Sequence, residues 1–297
     1  MVKKKRWGKK YKDTRNWKQY NEKLVKRGEF YINLNFLETW LRELKKMNHR
    51  KVGQPFFYPD SMIEFLAVLK SKGFDYRALE GMMSGLSKRL GPFPVISFSQ
   101  IRRRIIRLPV SFKKQAGKMI VSCDGSGMKA GNRGEWIRQK WKVRRGWIKV
   151  VIMGNTDGDI VDIRIGNEKL DERKASRGMI RKQQKNIEKV LLDGLHDCND
   201  TFDLCDKYKI KPGIKIRENA NGKGLGARPR EVRNYKKKKY KEWAKEKEYG
   251  HRWPASEGIF SAVKRMFGEE IMSNKKRNMY HEAKVKFWAY QQLRDYA

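Results

Sequence analysis

Apolar positions along the chain fall first at helical spacing and then at strand spacing, and the change comes near residue 117. Residues 34–47, Leu-Asn-Phe-Leu-Glu-Thr-Trp-Leu-Arg-Glu-Leu-Lys-Lys-Met, repeat apolar side chains three and four apart and predict a helix. Asp60 is placed to cap a second helix carrying Met62, Ile63, Phe65, Leu66 and Leu69, which stops near Gly73. Asp75 is placed to cap a third, with Leu79, Met82, Met83 and Leu86, ending near Gly91. After the Pro92-Phe-Pro94 break, Ser97 or Ser99 starts a short helix in which Arg102, Arg103, Arg104 and Arg107 accompany Ile101, Ile105 and Ile106.

Beyond 117 the period is that of strands. Lys118–Cys123 is the first, and Gly134–Val143 with Gly146–Gly154 predicts a hairpin turning at Arg144-Arg145. Asp159–Ile165 follows the Asn155-Thr-Asp-Gly158 turn. A helix over 170–188, a strand at Lys189–Leu192, a helix over 199–208 and a strand near Gly213–Ile216 complete the alternation. Three antiparallel strands and then alternating helix and strand is the order of an RNase H-like core. The expected fold is therefore α/β (α+β): a mixed sheet flanked by helices, preceded by an all-helical region. Residues 217–248 interrupt it with a glycine-rich loop, Glu218–Gly226, and the cationic run Lys236–Lys239. That segment is either a DNA-tracking insertion or a solvated loop leading into a lysine-rich helix.

Charge changes the picture. Lys and Arg number 71 against 33 Asp and Glu, a formal net charge of +38, while 39% of residues are hydrophobic, enough for a packed core. A folded chain this basic repels itself unless a polyanion shares its surface. The boundaries expected are a basic arm over 1–33 with Trp7, Tyr11, Trp17 and Tyr20 interleaved, a helical region over 34–115, and an RNase H-like domain over 116–297. Short helices ending in an arginine-rich one suggest a helix-turn-helix, with Arg102 and Arg103 as candidate DNA contacts; a solvated cationic face is the other reading. Three cysteines without a Cys-x-x-Cys spacing fit neither a disulfide framework nor structural zinc, which points to a reducing cytoplasm, and DNA binding would place the protein on the nucleoid. No apolar stretch reaches the roughly 20 residues that span a bilayer. The Met-Val-Lys-Lys-Lys-Arg-Trp start has no apolar run after it, so no signal peptide is expected.

Three acids stand at element ends in this basic chain. Asp124 closes Met119-Ile-Val-Ser-Cys123, Asp193 closes Val190-Leu-Leu192, and Glu257 opens a helix running to Phe267. Hard divalent cations take carboxylate oxygens, and two such ions can clamp the attacking and leaving oxygens of a phosphodiester. In an RNase H-like core the first Asp belongs on the central strand, the second after the next parallel strand and the last acid on the closing helix, so the three converge at strand ends.

The stretch Tyr249-Gly-His-Arg252-Trp-Pro-Ala-Ser-Glu257-Gly-Ile-Phe-Ser-Ala-Val-Lys264 resembles the Tyr-x2-Arg-x3-Glu-x6-Lys signature of DDE transposases of bacterial and archaeal insertion sequences. Its Tyr-to-Arg and Glu-to-Lys spacings agree, whereas Arg252 and Glu257 enclose four residues instead of three. Leu191-Leu-Asp-Gly-Leu-His-Asp-Cys-Asn199 is similar to that family's second-aspartate motif and Ser122-Cys-Asp-Gly-Ser-Gly-Met-Lys129 to its first. The resemblance implies that Asp124, Asp193 and Glu257 ligate two ions, Mg²⁺ or Mn²⁺. A water would attack at terminal inverted repeats, and the 3′-OH ends would then attack target DNA. It further implies Tyr249, Arg252, Lys264 and Lys129 as DNA contacts and a homodimer on double-stranded DNA. Lys264 follows Glu257 by two helical turns and so shares its face.

Neighbouring residues offer other readings. Asp197 is the main competitor of Asp193, with Asp200 and Asp203 nearby; His196 and His251 read as surface or phosphate-contacting residues rather than metal ligands. Trp253 reads as core, or alternatively as a platform for a displaced base. Cys123 and Cys198 read as packing residues, as do Met119, Met266, Phe260 and Phe267. No phosphate-binding glycine loop opens a helix, so ATP use is not expected. An RNase H-like nuclease and an inactive transposase-derived DNA-binding regulator are the rival functions.

Overall fold

The computed structural model describes residues 16–113, 117–131 and 147–297. Five helices come first: α1 (Trp17–Glu29), α2 (Asn35–Asn48), α3 (Asp60–Ser71), α4 (Tyr76–Leu90) and α5 (Phe98–Arg107). Helix α3 is buried along most of its length because α2, α4, α5 and the C-terminal helix α11 (Lys276–Tyr296) all pack against it. Asp75 caps α4, accepting from the Ala78 N–H at 2.8 Å, and Gly91 ends that helix at φ +104°, a conformation that favours glycine. Asp60 is not the cap expected of it. It is the first residue of α3, behind Pro59, and its carboxylate pairs with Arg104 at 2.7 Å. In α5, Ile101 and Ile105 turn inward while Arg102, Arg103 and Arg107 stay exposed.

A mixed sheet follows: β1 (Met119–Ala130), β2 (Trp147–Asn155), β3 (Ile160–Asn167), β4 (Ile187–Leu192) and β5 (Lys211–Ile214), in the spatial order β3-β2-β1-β4-β5. β1, β2 and β3 pair antiparallel, whereas β4 and β5 run parallel to β1. Helices α6 (Glu172–Gln183) and α7 (Asn199–Lys207) make the two crossovers. This is an RNase H-like fold, as the order of elements predicts.

Several boundaries differ. β1 does not stop at Cys123 but runs on to Ala130, because β2 pairs with it from Val121–Asn155 to Lys129–Trp147. Asp124 therefore lies within a strand, not after one. The predicted strand Gly134–Val143 lies outside the described residues. Helix α6 is shorter than 170–188, and Ile187 and Glu188 belong to β4. A two-residue strand, β6 (Glu270–Ile271), pairs parallel with the far end of β1.

Alternation along the strands divides the apolar side chains between two cores. On one face Val121, Cys123, Val190 and Leu192 meet Met179, Ile180, Phe202 and Cys205 of α6 and α7. On the other, Met128, Val150 and Ile152 meet α10 (Gly258–Phe267), α11 and the N-terminal helices in one continuous core. Two short helices, α8 (Ala227–Lys236) and α9 (Tyr240–Glu246), fold the 217–248 segment beside the strand ends. Among the described residues no helix is long and apolar enough to cross a membrane.

Candidate active site

The first two acids take their positions from strand register. Ser122 of β1 pairs with Leu191 of β4, and continuing that parallel register by two residues sets Asp124 level with Asp193 on adjacent chains. Neighbouring strands lie about 5 Å apart, so the two carboxylates share one end of the sheet. Asp124 accepts from the Gly125 N–H at 2.9 Å. Its side chain is only 21% exposed. Burial pushes its pKa up to about 6, opposed by the Gly125 N–H and Arg252 and assisted by the carboxylates of Glu172 and Asp193. Asp193 caps the short turn Gly194–His196 through the Leu195 N–H at 3.0 Å. It opens onto a cleft of about 650 Å³ that Lys215, Arg217, Tyr240, Tyr249 and Arg252 also line.

A π-helical turn, Trp253–Glu257, delivers the third acid. In it the Gly258 N–H reaches back five residues to the Trp253 carbonyl, so residues five apart, not four, share a face. That turn absorbs the extra residue between Arg252 and Glu257. The Arg252 guanidinium is hydrogen-bonded to the Glu257 carboxylate and lies 4.0 Å from Asp124 Oδ2. Two contacts seat the turn on the sheet. Ser256 Oγ lies 3.2 Å from Ser122 Oγ, both buried, and a Cβ at Gly154, the register partner of Ser122, would overlap the Ala255 carbonyl. Ser122 and Asp124 point to the same face of β1, the face the turn covers.

The remaining candidates are distributed as follows. Tyr249 donates its hydroxyl to the Leu192 carbonyl at 3.1 Å, one residue before Asp193, with its ring against Trp243; burial pushes its pKa up to about 12. Lys264 on α10 and Lys129 on β1 meet at the carboxylate of Glu269. Arg102 and Arg103 are exposed on α5, which packs with α3, α4 and α11. Asp197 is buried in a two-pronged ion pair with Arg228, 2.6 and 3.2 Å, and accepts from the Arg217 N–H, which commits both its oxygens to structure. Asp200 pairs with Arg177 at 3.2 Å.

Two expectations are corrected. Trp253 is not core: it is 57% exposed, because the π turn rotates it outward over Gly258. His196 is not a surface residue; it is fully buried, neither ring nitrogen has a hydrogen-bond partner, and burial lowers its pKa. His251 is exposed. Cys123 is buried and its thiol pKa is pushed far up by desolvation, which suits packing and not nucleophilic attack.

Sequence reasoning missed one acid. Glu172, in the first turn of α6, lies 11% exposed against Gly125, where any Cβ would fall on its carboxylate, and it pairs with Lys149 at 3.1 Å. Its charge adds to the upward push on Asp124. Only the pairing of a helix N-terminus with a glycine in β1 marks it, and that needs three dimensions.

The donor set fits a hard divalent cation. Among the described residues no three acid, His or Cys side chains are already drawn close enough to hold one. The place between Asp124 and Glu257 is nonetheless built for positive charge, since the Arg252 guanidinium stands there and Asp124 is a desolvated carboxylate that a cation would stabilise.

Two family models, each described as a transposase DDE domain, match residues 25–133 and 115–291. No curated protein matches the chain. Among solved structures, the cryo-EM structure of the simian T-cell lymphotropic virus intasome in complex with PP2A regulatory subunit B56 gamma contains a chain 8% identical to this one. The match covers 70% of this chain and 72% of that one with a TM-score of 0.25, a likeness too slight to carry an argument. The family match over 115–291 takes in the sheet, all three acids and the π turn, and it shows that the chain belongs to the DDE transposases.

Proposed function

We propose that this transposase cuts DNA at terminal inverted repeats of a prokaryotic insertion sequence and joins the 3′-OH ends to target DNA, with Asp124, Asp193 and Glu257 as ligands of two Mg²⁺ or Mn²⁺ ions. The observation that carries the reading is that Asp124 on β1 and Asp193, just past the end of the parallel neighbour β4, lie close enough for one to raise the pKa of the other, with Glu257 bonded to the Arg252 that stands 4.0 Å from Asp124. When bound, the ions supply Lewis acidity and neutralise charge on the phosphodiester. The chain supplies position. Parallel register holds the two aspartates, the π turn seats the glutamate, and the Ser122–Ser256 contact fixes one to the other.

With cations held by the carboxylates, Arg252 would be free to hold a DNA phosphate, aligned by Tyr249, whose ring lies 5.8 Å from the guanidinium. The basic arm 1–33 and the helical region 34–115 hold the repeat, with Arg102 and Arg103 exposed on α5 to meet it. The catalytic domain spans 116–297, and its 217–248 segment, with Lys236–Lys239, borders the cleft beside Asp193. A homodimer pairs the two DNA ends in the cytoplasm, on the nucleoid.

The test uses a labelled duplex carrying the inverted repeats that flank the gene, incubated with Mn²⁺ and either wild type or Glu257→Gln. Nicks at the repeat end with wild type only are expected. Binding without nicks would make the protein an inactive regulator, and indiscriminate degradation would make it a nuclease.

A further inference from the structure

The turn after α10 draws three charges from three elements together. The two carboxylate oxygens of Glu269 are divided between two lysines: Lys129 of β1 on Oε1, and Lys264 of α10 on Oε2 at 3.4 Å. The ammonium groups, Lys129 first, hold the Glu269 carboxyl below its ordinary range. The backbone under it is fixed independently. Its carbonyl accepts from the Lys129 N–H at 2.8 Å where β1 meets β6. The buried Lys286 ammonium donates to the carbonyls of Phe267, Gly268 and Glu270 at 2.8, 3.3 and 2.7 Å. Glu269 is thus placed by the main chain, not by the lysines it holds.

A carboxylate that engages two ammonium groups on separate oxygens presents the acceptor pattern of the two non-bridging oxygens of a backbone phosphate. Both lysines remain solvent-accessible, 49% and 30%, so an incoming anion can reach them. Lys264 lies seven residues beyond Glu257 on a continuous helical run, about 10 Å along the axis. That is about three base-pair steps from the acids.

We propose that Glu269 is a resident anion that joins the expected DNA contacts Lys129 and Lys264 into a clamp for a single backbone phosphate, and that it is displaced when the duplex docks. The inference rests on the DNA-transposase reading. An exposed carboxylate holds such lysines weakly in water, whereas a duplex gains released counterions for each phosphate it neutralises, so the polyanion wins the exchange. An isolated anion gains no such release and competes poorly with Glu269.

The experiment is fluorescence anisotropy of the full chain with an arbitrary-sequence duplex in EDTA, across a salt series. Wild type is compared with Glu269→Gln, Glu269→Ala, Lys129→Gln/Lys264→Gln and the triple variant. Both Glu269 changes are expected to tighten binding several-fold and to steepen the slope of log K against log salt by about one. The lysine pair should flatten that slope by about one, because the two ammonium groups share one phosphate. In the lysine-free background the Glu269 change should gain little, because the coupling passes through the two ammonium groups. An equal gain in both backgrounds, or none in either, overturns the clamp, since it would leave Glu269 a long-range repulsive charge or a bystander. Repeat-end nicking is read separately: a wild type that nicks but shows no coupling loses the clamp and keeps the transposase reading. A wild type that binds no duplex at all loses both.

Discussion

Ser122 Oγ and Ser256 Oγ lie 3.2 Å apart in a fully buried contact between the central strand and the π turn that presents Glu257. A second link between the strand of the first acid and the turn of the third is ionic: Arg252, bonded to Glu257, stands 4.0 Å from Asp124. The serine contact sits over Gly154, whose missing Cβ makes room for the Ala255 carbonyl. Gly154→Ala should push the turn off the sheet, costing about 1–3 kcal/mol by overpacking and far more in activity than in stability. Thermal melts and repeat-end nicking measured together check this. Unchanged nicking with a lowered melting temperature would mean that the turn need not stay seated.

Asp193 and Asp197 separate cleanly by what each carboxylate does. Asp193→Asn should abolish nicking, leave repeat binding intact and change stability by less than about 1 kcal/mol, because its one structural contact is a cap to the Leu195 N–H. Asp197→Asn breaks the buried pair with Arg228 and should destabilise the fold by about 3–5 kcal/mol. Full nicking by the Asp193 variant would move the second acid to Asp197.

Asp124 carries a stability cost with a definite sign. Its folded pKa, about 6, lies above the ordinary 3.8, so the folded state binds the extra proton between those values. The destabilisation is absent below about pH 4, grows as pH rises, and is complete above about pH 6. Asp124→Asn should therefore raise the stability of the metal-free protein at pH 7.5, by at most about 3 kcal/mol, and with it the melting temperature, while abolishing nicking. A variant no more stable than wild type at pH 7.5 would mean that the Asp124 carboxylate is not desolvated in the folded protein.

Much of this arrangement was legible in the chain. Apolar runs ending at Asp124 and Asp193 mark two adjacent strands, Gly73 and Gly91 mark the ends of α3 and α4, and Asp75 marks the start of α4, because helix ends leave polar backbone groups that only certain residues satisfy. The π turn was not legible: spacing showed one residue too many between Arg252 and Glu257, but not whether a loop or a wider helical turn would take it up. Trp253 is exposed against expectation for the same cause, since a residue's face depends on the turn that carries it. β1 outruns its expected end because Asp-Gly-Ser-Gly has little strand propensity, and pairing with β2 overrides it. Glu172 is a first-turn acid like many others until Gly125 is placed beneath it.

That acid should matter in solution. Glu172 is nearly buried, paired with Lys149, and close enough to Asp124 to raise its pKa. Glu172→Gln should lower the Asp124 pKa, so the rise of nicking activity with pH should move to lower pH. Lys149→Met should do the reverse, because it leaves Glu172 uncompensated. Paired pH profiles of the two variants decide it, and shifts in the same direction would rule out a through-space effect.

His196 gives the opposite pH signature from Asp124. Its pKa is lowered by burial, so the unfolded chain binds the proton more readily, and stability falls as pH drops below about 6.5. Neither ring nitrogen is hydrogen-bonded, so the imidazole also carries an unsatisfied polar cost at neutral pH. His196→Leu should remove both, raising stability by about 1 kcal/mol at pH 7.5 and by more at pH 5.5. His281, also held neutral by burial, keeps part of the acid sensitivity, so the slope should shrink rather than vanish. Denaturant unfolding of wild type and His196→Leu at the two pH values measures the difference. A variant less stable than wild type at both would show that the ring packs too well for its orphaned nitrogens to matter.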